Sequence, residues 1–157
     1  MKLTDFVCFK AIIPELKADD RDGAITELVE ALDKARKLGK GERTNITKAI
    51  IKREKEASTG MGKGVAVPHV KHDALKKPVV AIGRSSKGID FMALDKQPVH
   101  SIIVLISPIN NPDVHLQVME NIFQHIQKEM FRKFLRQLDT AEKIEDMLRE
   151  ADENPSL

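Results

Sequence analysis

The sequence predicts an α/β fold, with a sheet covered by helices on both faces, and three observations carry that expectation. Val79 to Ile82 and Ser101 to Ile106 are unbroken apolar runs rich in Val and Ile, the pattern of strands buried on both sides. Helical stripes precede and follow these runs. The 157 residues contain no internal repeat, low-complexity tract or linker long enough to separate a second domain, so one domain spanning 1–157 is expected.

Taken in order, the first informative residue is Cys8, the only cysteine, set in the apolar run Phe-Val-Cys-Phe and read as a small buried hydrophobe. From Gly23 to Leu38, Ile25, Leu28, Val29, Leu32, Ala35 and Leu38 recur at spacings of three and four, a helix that Gly39 should end. A second helix starts at a Thr44 or Asn45 cap and runs through Glu56, with Ile46, Ala49, Ile50 and Arg53 on one stripe. An arginine that continues an apolar stripe either snorkels to solvent or meets an anion.

Gly64 to Val67 reads as a short strand that Pro68 stops, because proline has no N–H for the ladder and a fixed φ. The strand thereby delivers His69 to the edge of the sheet. After the two apolar strands, Asn111 and Pro112 start a helix, with Asp113 in its first turn, that runs to about Lys128. Helices at about Met130 to Leu138 and Thr140 to Ala151 follow, the second capped by Thr140 and leading into a frayed end at Asn154-Pro155.

Composition bounds the function. No apolar run approaches the ~18 residues of a membrane span. The amino terminus carries Asp5 and lacks an extended apolar segment, so a cytoplasmic protein without membrane insertion is expected. A single cysteine excludes an internal disulfide and a multi-cysteine metal cluster. Residues 43 to 77 hold nine Lys/Arg against three Asp/Glu, while seven acids oppose two bases from Asp139 onward. The basic stretch is either a solvated helix face or an anion-binding neighbourhood. Nucleic acid is a poor match, since the chain has no Trp or Tyr and Glu54 and Glu56 interrupt the basic helix.

Gly60, Gly62 and Gly64 alternate, so their amides could line an anion nest, or they could simply form a hairpin. Nucleotide motifs fail here: Lys63 is followed by Gly64 where a Walker loop needs a hydroxyl, and Val67 occupies the last glycine position of a dinucleotide loop. His69, His72 and Asp73 lack a recognised metal spacing. No serine sits in a nucleophile elbow. His100 and His125 read as surface or packing residues. His115 lies on the stripe of Val118, Met119, Ile122, Phe123 and Ile126, near the helix start. It is either an ordinary core histidine or a neutral donor to an anion at the positive end of the helix dipole.

The run Arg53-Glu54-Lys55, then Ser58-Thr59-Gly60-Met61-Gly62-Lys63-Gly64-Val65-Ala66-Val67-Pro68-His69, resembles the fructose/mannitol type of enzyme IIA of the bacterial phosphoenolpyruvate-dependent phosphotransferase system, which includes a nitrogen-regulatory branch. The likeness continues through Asp95-Lys96-Gln97-Pro98-Val99, the strand Ile102 to Ile106 and His115-Leu116. Valines at 65 and 67 stand where isoleucine is more usual.

The resemblance implies a three-layer α/β/α sandwich with a mixed sheet. It makes His69 the phosphorylated nucleophile, His115 its partner beside the phosphoryl group, Arg53 an anion-stabilising or site-organising residue, and Ser58, Thr59 and Gly60 the wall. His72 is a second, minor phosphorylation candidate. Transfer between histidines needs positioning and charge stabilisation, with neither cofactor nor metal. The implied donor is an HPr-like phosphocarrier protein, and the receiver is a IIB domain or a regulatory target protein. A free-standing nitrogen-type regulator is expected, with a sugar-uptake subunit as the alternative.

Overall fold

The computed structural model describes residues 1–154. A short 3-10 helix, Leu3–Asp5, leads into β1 (Val7–Ile13), α1 (Arg21–Lys34) and α2 (Arg43–Glu56). Then come β2 (Gly60–Gly62), β3 (Val65–Ala66), β4 (His69–His72), β5 (Val79–Ile89) and β6 (Val99–Pro108). The chain closes with α3 (Pro112–Ile126), α4 (Glu129–Gln137) and α5 (Ala141–Glu153). The expected tail at Asn154-Pro155 lies, from Pro155 on, outside the described residues.

The strands form one mixed six-stranded sheet in the order β1-β5-β6-β3-β2, with β4 also paired to β6. β1 is parallel to β5, β5 antiparallel to β6, and both β3 and β4 run parallel to β6. The two long runs are buried on both faces, as their sequence requires. In β5, Val79 and Ala81 pack with α1 and α2 residues while Val80 and Ile82 pack with those of α3 to α5. β6 repeats the alternation, with Ile102, Val104 and Ile106 on one side and Ile103 and Leu105 on the other. Each such Ile or Leu contributes about 1.5–3 kcal/mol by leaving water, so β6, buried along its whole length, is the axis of the molecule.

Several local expectations change. The apolar run around Cys8 is strand β1, whose Cys8 is buried. α1 starts at an Asp20 cap that accepts from the Gly23 amide at 2.7 Å. It ends earlier than its stripe suggests, because Arg36 takes φ 59° and the Lys37 amide closes back on the Leu32 carbonyl at 3.0 Å. Leu38 is still buried, but from the following turn, and Gly39 does not end the helix. α2 begins at Glu42 with no side-chain cap, so neither Thr44 nor Asn45 caps it. The caps at Asn111 and Thr140 are made, to the Val114 and Lys143 amides.

Pro68 interrupts the ladder without ending the strand path. Ala66 pairs with Ile102 and His69 with Leu105, so three residues advance on each side and the register carries through. Pro68 still accepts from the Leu105 amide at 3.0 Å and lacks only its own donor. His69 is therefore the first residue of β4 rather than an overhang past a terminated strand. It does lie at an edge, since β4 pairs only with β6.

Candidate functional site

The β4–β6 pairing and the turn after Pro108 bring the start of β4 against the start of α3. There the imidazoles of His69 and His115 approach to 5.6 Å between ring centroids, tilted by 43°. His69 Nδ1 lies 2.8 Å from the carbonyl oxygen of Val67. A carbonyl only accepts, so Nδ1 carries the proton and Nε2 holds the lone pair. Burial is the largest cause holding the pKa of His69 below the ordinary histidine value. The Val67 hydrogen bond opposes that shift, the Arg53 charge adds to it and Glu54 works against it.

His115 Nδ1 lies 2.7 Å from Oγ of Ser107, a residue with no solvent exposure at the end of β6. Burial, then the neighbouring His69 and Lys71, lower the pKa of His115 to about 4. Both rings are thus neutral at physiological pH, and each has its Nδ1 occupied by its own support.

Arg53, in the last turn of α2, is partly buried and donates from Nη1 to the Ala57 carbonyl at 2.9 Å. That bond holds the guanidinium over the end of its own helix, from where its charge reaches His69. Ser58 Oγ donates to the Phe91 carbonyl at 2.6 Å and accepts from the Gly60 amide at 3.0 Å. Thr59 is fixed by Glu54, whose carboxylate accepts from the Thr59 amide at 2.7 Å and from its hydroxyl at 2.8 Å. Gly60 is pressed against Ala93, whose methyl would stand 2.9 Å from an added Cβ.

The glycines form the β2–β3 hairpin rather than an open nest. Gly62 and Gly64 take φ of 110° and 78° to make its turn. The amides of Thr59, Gly60 and Lys63 are already given to Glu54, Ser58 and Asp95. These three amides are not open donors.

His72 stands three residues along β4 from His69, on the opposite face of the strand, and its Nδ1 accepts from the Ala74 amide at 3.1 Å. It does not join the imidazole pair. His100 and His125 are both buried packing residues; His100 bonds the Ser85 carbonyl at 2.9 Å. Among the described residues no three His, Cys, Asp or Glu side chains are grouped to hold a metal ion. No helix among them is long and apolar enough to cross a membrane.

Sequence reasoning missed Glu54, Ser107 and the Val67 carbonyl. Glu54 left a signal: it follows Ile46 and Ile50 at the same spacing of four, and all three are buried on α2. A carboxylate on that stripe needs an internal partner. Ser107 left none, because it only ends an apolar run.

A family model described as the phosphoenolpyruvate-dependent sugar phosphotransferase system, EIIA 2, matches residues 7–151. A fructose-specific EIIABC component of Bacillus subtilis is 32% identical over 152 residues, 97% of this chain but 24% of the relative, so the chain spans about a quarter of that protein. A nitrogen regulatory protein of Bradyrhizobium diazoefficiens is 33% identical over 148 residues, covering 94% of this chain and 95% of that one. The crystal structure of nitrogen regulatory protein IIA-Ntr from Neisseria meningitidis superposes with a TM-score of 0.82 at 25% identity, over 92% of this chain and 97% of that one.

Proposed function

The chain belongs to the EIIA 2 family of the phosphoenolpyruvate-dependent sugar phosphotransferase system, and from that premise we propose that it is a single-domain phosphohistidine carrier loaded at Nε2 of His69. The observation that carries this reading is the bond from His69 Nδ1 to the Val67 carbonyl, which leaves Nε2 as the nucleophile beside a second neutral imidazole.

In the proposed step, the N–P bond of a phosphohistidine on an HPr-like carrier breaks as the His69 Nε2–P bond forms, and the donor ring leaves with the electron pair. Positive charge develops on the His69 ring, and the Val67 carbonyl dipole faces the proton that bears it. With Ser107 donating to His115 Nδ1, the His115 Nε2–H is free to donate to a phosphoryl oxygen. Arg53 adds long-range positive charge, and Ser58, Thr59 and Gly60 form a wall kept rigid by Glu54 and Phe91. The exposed Leu116, next to His115, offers apolar contact to a docked carrier.

Two onward uses fit. Supporting a regulatory one, acting on a target protein, is the nearly end-to-end match with the Bradyrhizobium nitrogen regulatory protein. Supporting sugar uptake through a IIB domain is the similarity to the fructose-specific EIIABC component. The regulatory reading is preferred because the IIA-Ntr structure superposes over 92% of this chain with a TM-score of 0.82.

The test is phosphorylation with phosphoenolpyruvate, enzyme I and an HPr-like carrier, followed by mass spectrometry in alkali, which preserves phosphohistidine. His69→Ala should abolish the label, and a variant that labels like the parent overturns the assignment. Transfer from the labelled protein to a IIB domain would favour uptake over regulation.

A further inference from the structure

We propose that a basic hollow between the tip of the β2–β3 hairpin and α4 binds a small polyanion carrying two or more phosphate groups. The hollow has a volume of about 640 Å3, and five of the side chains lining it are Lys63, Arg84, Arg132, Lys133 and Arg136, opposed by Glu129 alone. Its size is that of a metabolite site.

Two of the cations are already positioned. Arg132 Nη1 donates to the carbonyls of Ile126 and Gln127 at 2.8 and 2.9 Å. Arg84 donates to the Arg136 carbonyl at 2.5 Å and the Pro14 carbonyl at 3.1 Å. Carbonyl anchors fix a guanidinium without neutralising it, so little ordering entropy remains to be lost on binding an anion. Arg84 also touches Glu15 at 3.4 Å, whereas Lys63, Arg132, Lys133 and Arg136 enter no salt bridge among the described residues. Four cations outside any salt bridge, with Glu129 the single carboxylate of the lining, repel one another on balance, and that repulsion is relieved by a ligand with several negative charges.

The hollow carries no aromatic side chain on which a nucleobase could stack, so the recognition is of phosphates. The anchored guanidiniums favour a compact ligand over an extended acidic segment of another protein. Lys63 and Arg132 also line a narrower cleft of about 190 Å3 that includes Thr59 and Val67. A ligand in the hollow therefore adjoins a cleft that reaches Val67, whose carbonyl oxygen lies 2.8 Å from the His69 ring.

The test uses the full unphosphorylated chain, so it does not depend on the carrier reading. Calorimetry with inorganic tripolyphosphate, pyrophosphate and orthophosphate should give affinity rising with charge, about tenfold from orthophosphate to tripolyphosphate, and weakening with added salt. Adenosine triphosphate and a hexose bisphosphate, run in parallel, distinguish a nucleotide from a sugar source, and binding of either at the same residues supports the site. The exposed triple substitution Lys63→Gln, Lys133→Gln and Arg136→Gln should weaken tripolyphosphate about tenfold without lowering the melting temperature. The idea is overturned if tripolyphosphate binds no better than orthophosphate, or if amide shifts on binding map away from these residues. It is equally overturned if poly-glutamate binds while tripolyphosphate does not.

Discussion

Ser107 and His115 join two elements through one side-chain hydrogen bond: the end of β6 reaches the first turns of α3 with 2.7 Å between Oγ and Nδ1. If that hydroxyl sets the tautomer, Ser107→Ala frees His115 to protonate either nitrogen. Phosphoryl transfer should slow roughly tenfold, the effect of about 1.4 kcal/mol. Nitrogen chemical shifts of the His115 ring should move toward a tautomer mixture, and Ser107→Thr, which keeps the hydroxyl, should restore both readouts. An unchanged ring spectrum in the alanine variant would remove Ser107 from the mechanism.

The depressed histidines make folding stability depend on pH. The His115 pKa of about 4 lies below its ordinary value of 6.5. Between those values the unfolded chain binds a proton that the folded chain refuses, so stability rises with pH across that window and levels off above it. His69 and His125 are shifted in the same direction, both mainly by burial. Thermal melts should therefore fall steadily from pH 7 toward pH 4.5, and His115→Gln should flatten the slope.

Glu54 is 2% exposed and holds Thr59 by two short bonds. Glu54→Ala strands the Thr59 donors in a dry setting and should cost about 2–4 kcal/mol in urea unfolding. Glu54→Gln keeps one acceptor and should cost less. Both should reduce labelling of His69, because the Ser58 to Gly60 segment loses its anchor.

Asp152 ties the two ends of the chain together. Its carboxylate accepts from the Leu3 and Thr4 amides at 2.9 and 3.0 Å and from the Thr4 hydroxyl at 2.7 Å, and it lies 3.6 Å from His125 Nε2. Asp152→Asn replaces one acceptor with a donor and should destabilise the fold by about 1–3 kcal/mol. Hydrogen exchange should locate the loss at the Leu3 and Thr4 amides, with no change in His69 labelling.

The fold was readable where burial writes itself into periodicity. The two apolar runs become β5 and β6, and the stripe of α1 survives in Ile25, Leu28, Val29 and Leu32. Boundaries were less legible, since Arg36 rather than a glycine adopts the left-handed conformation that closes α1. In the candidate site, whose two histidine rings the fold brings together, His69, His115 and Arg53 could be named from the motif. Their supports could not, because a backbone carbonyl has no letter in the sequence and a buried serine at a strand end has no periodicity. The glycines misled for the opposite reason: their spacing suits a nest, but they build a hairpin in which the amides of Thr59, Gly60 and Lys63 are already taken by neighbouring acids and a serine.

The missing rung at Pro68 has a consequence for how any partner can approach. β2 starts at Gly60 opposite Ala66, and among the described residues no backbone amide takes the Val67 carbonyl, which is left for the His69 ring. A protein that docked by adding a strand along this edge would compete for that oxygen and release the proton it holds. On the proposed function, His69 would then lose its preset tautomer at the moment of contact. A donor of the proposed kind would meet this surface with side chains and leave the edge unpaired, so an acceptor withheld from the sheet would act as a filter on the geometry of encounter.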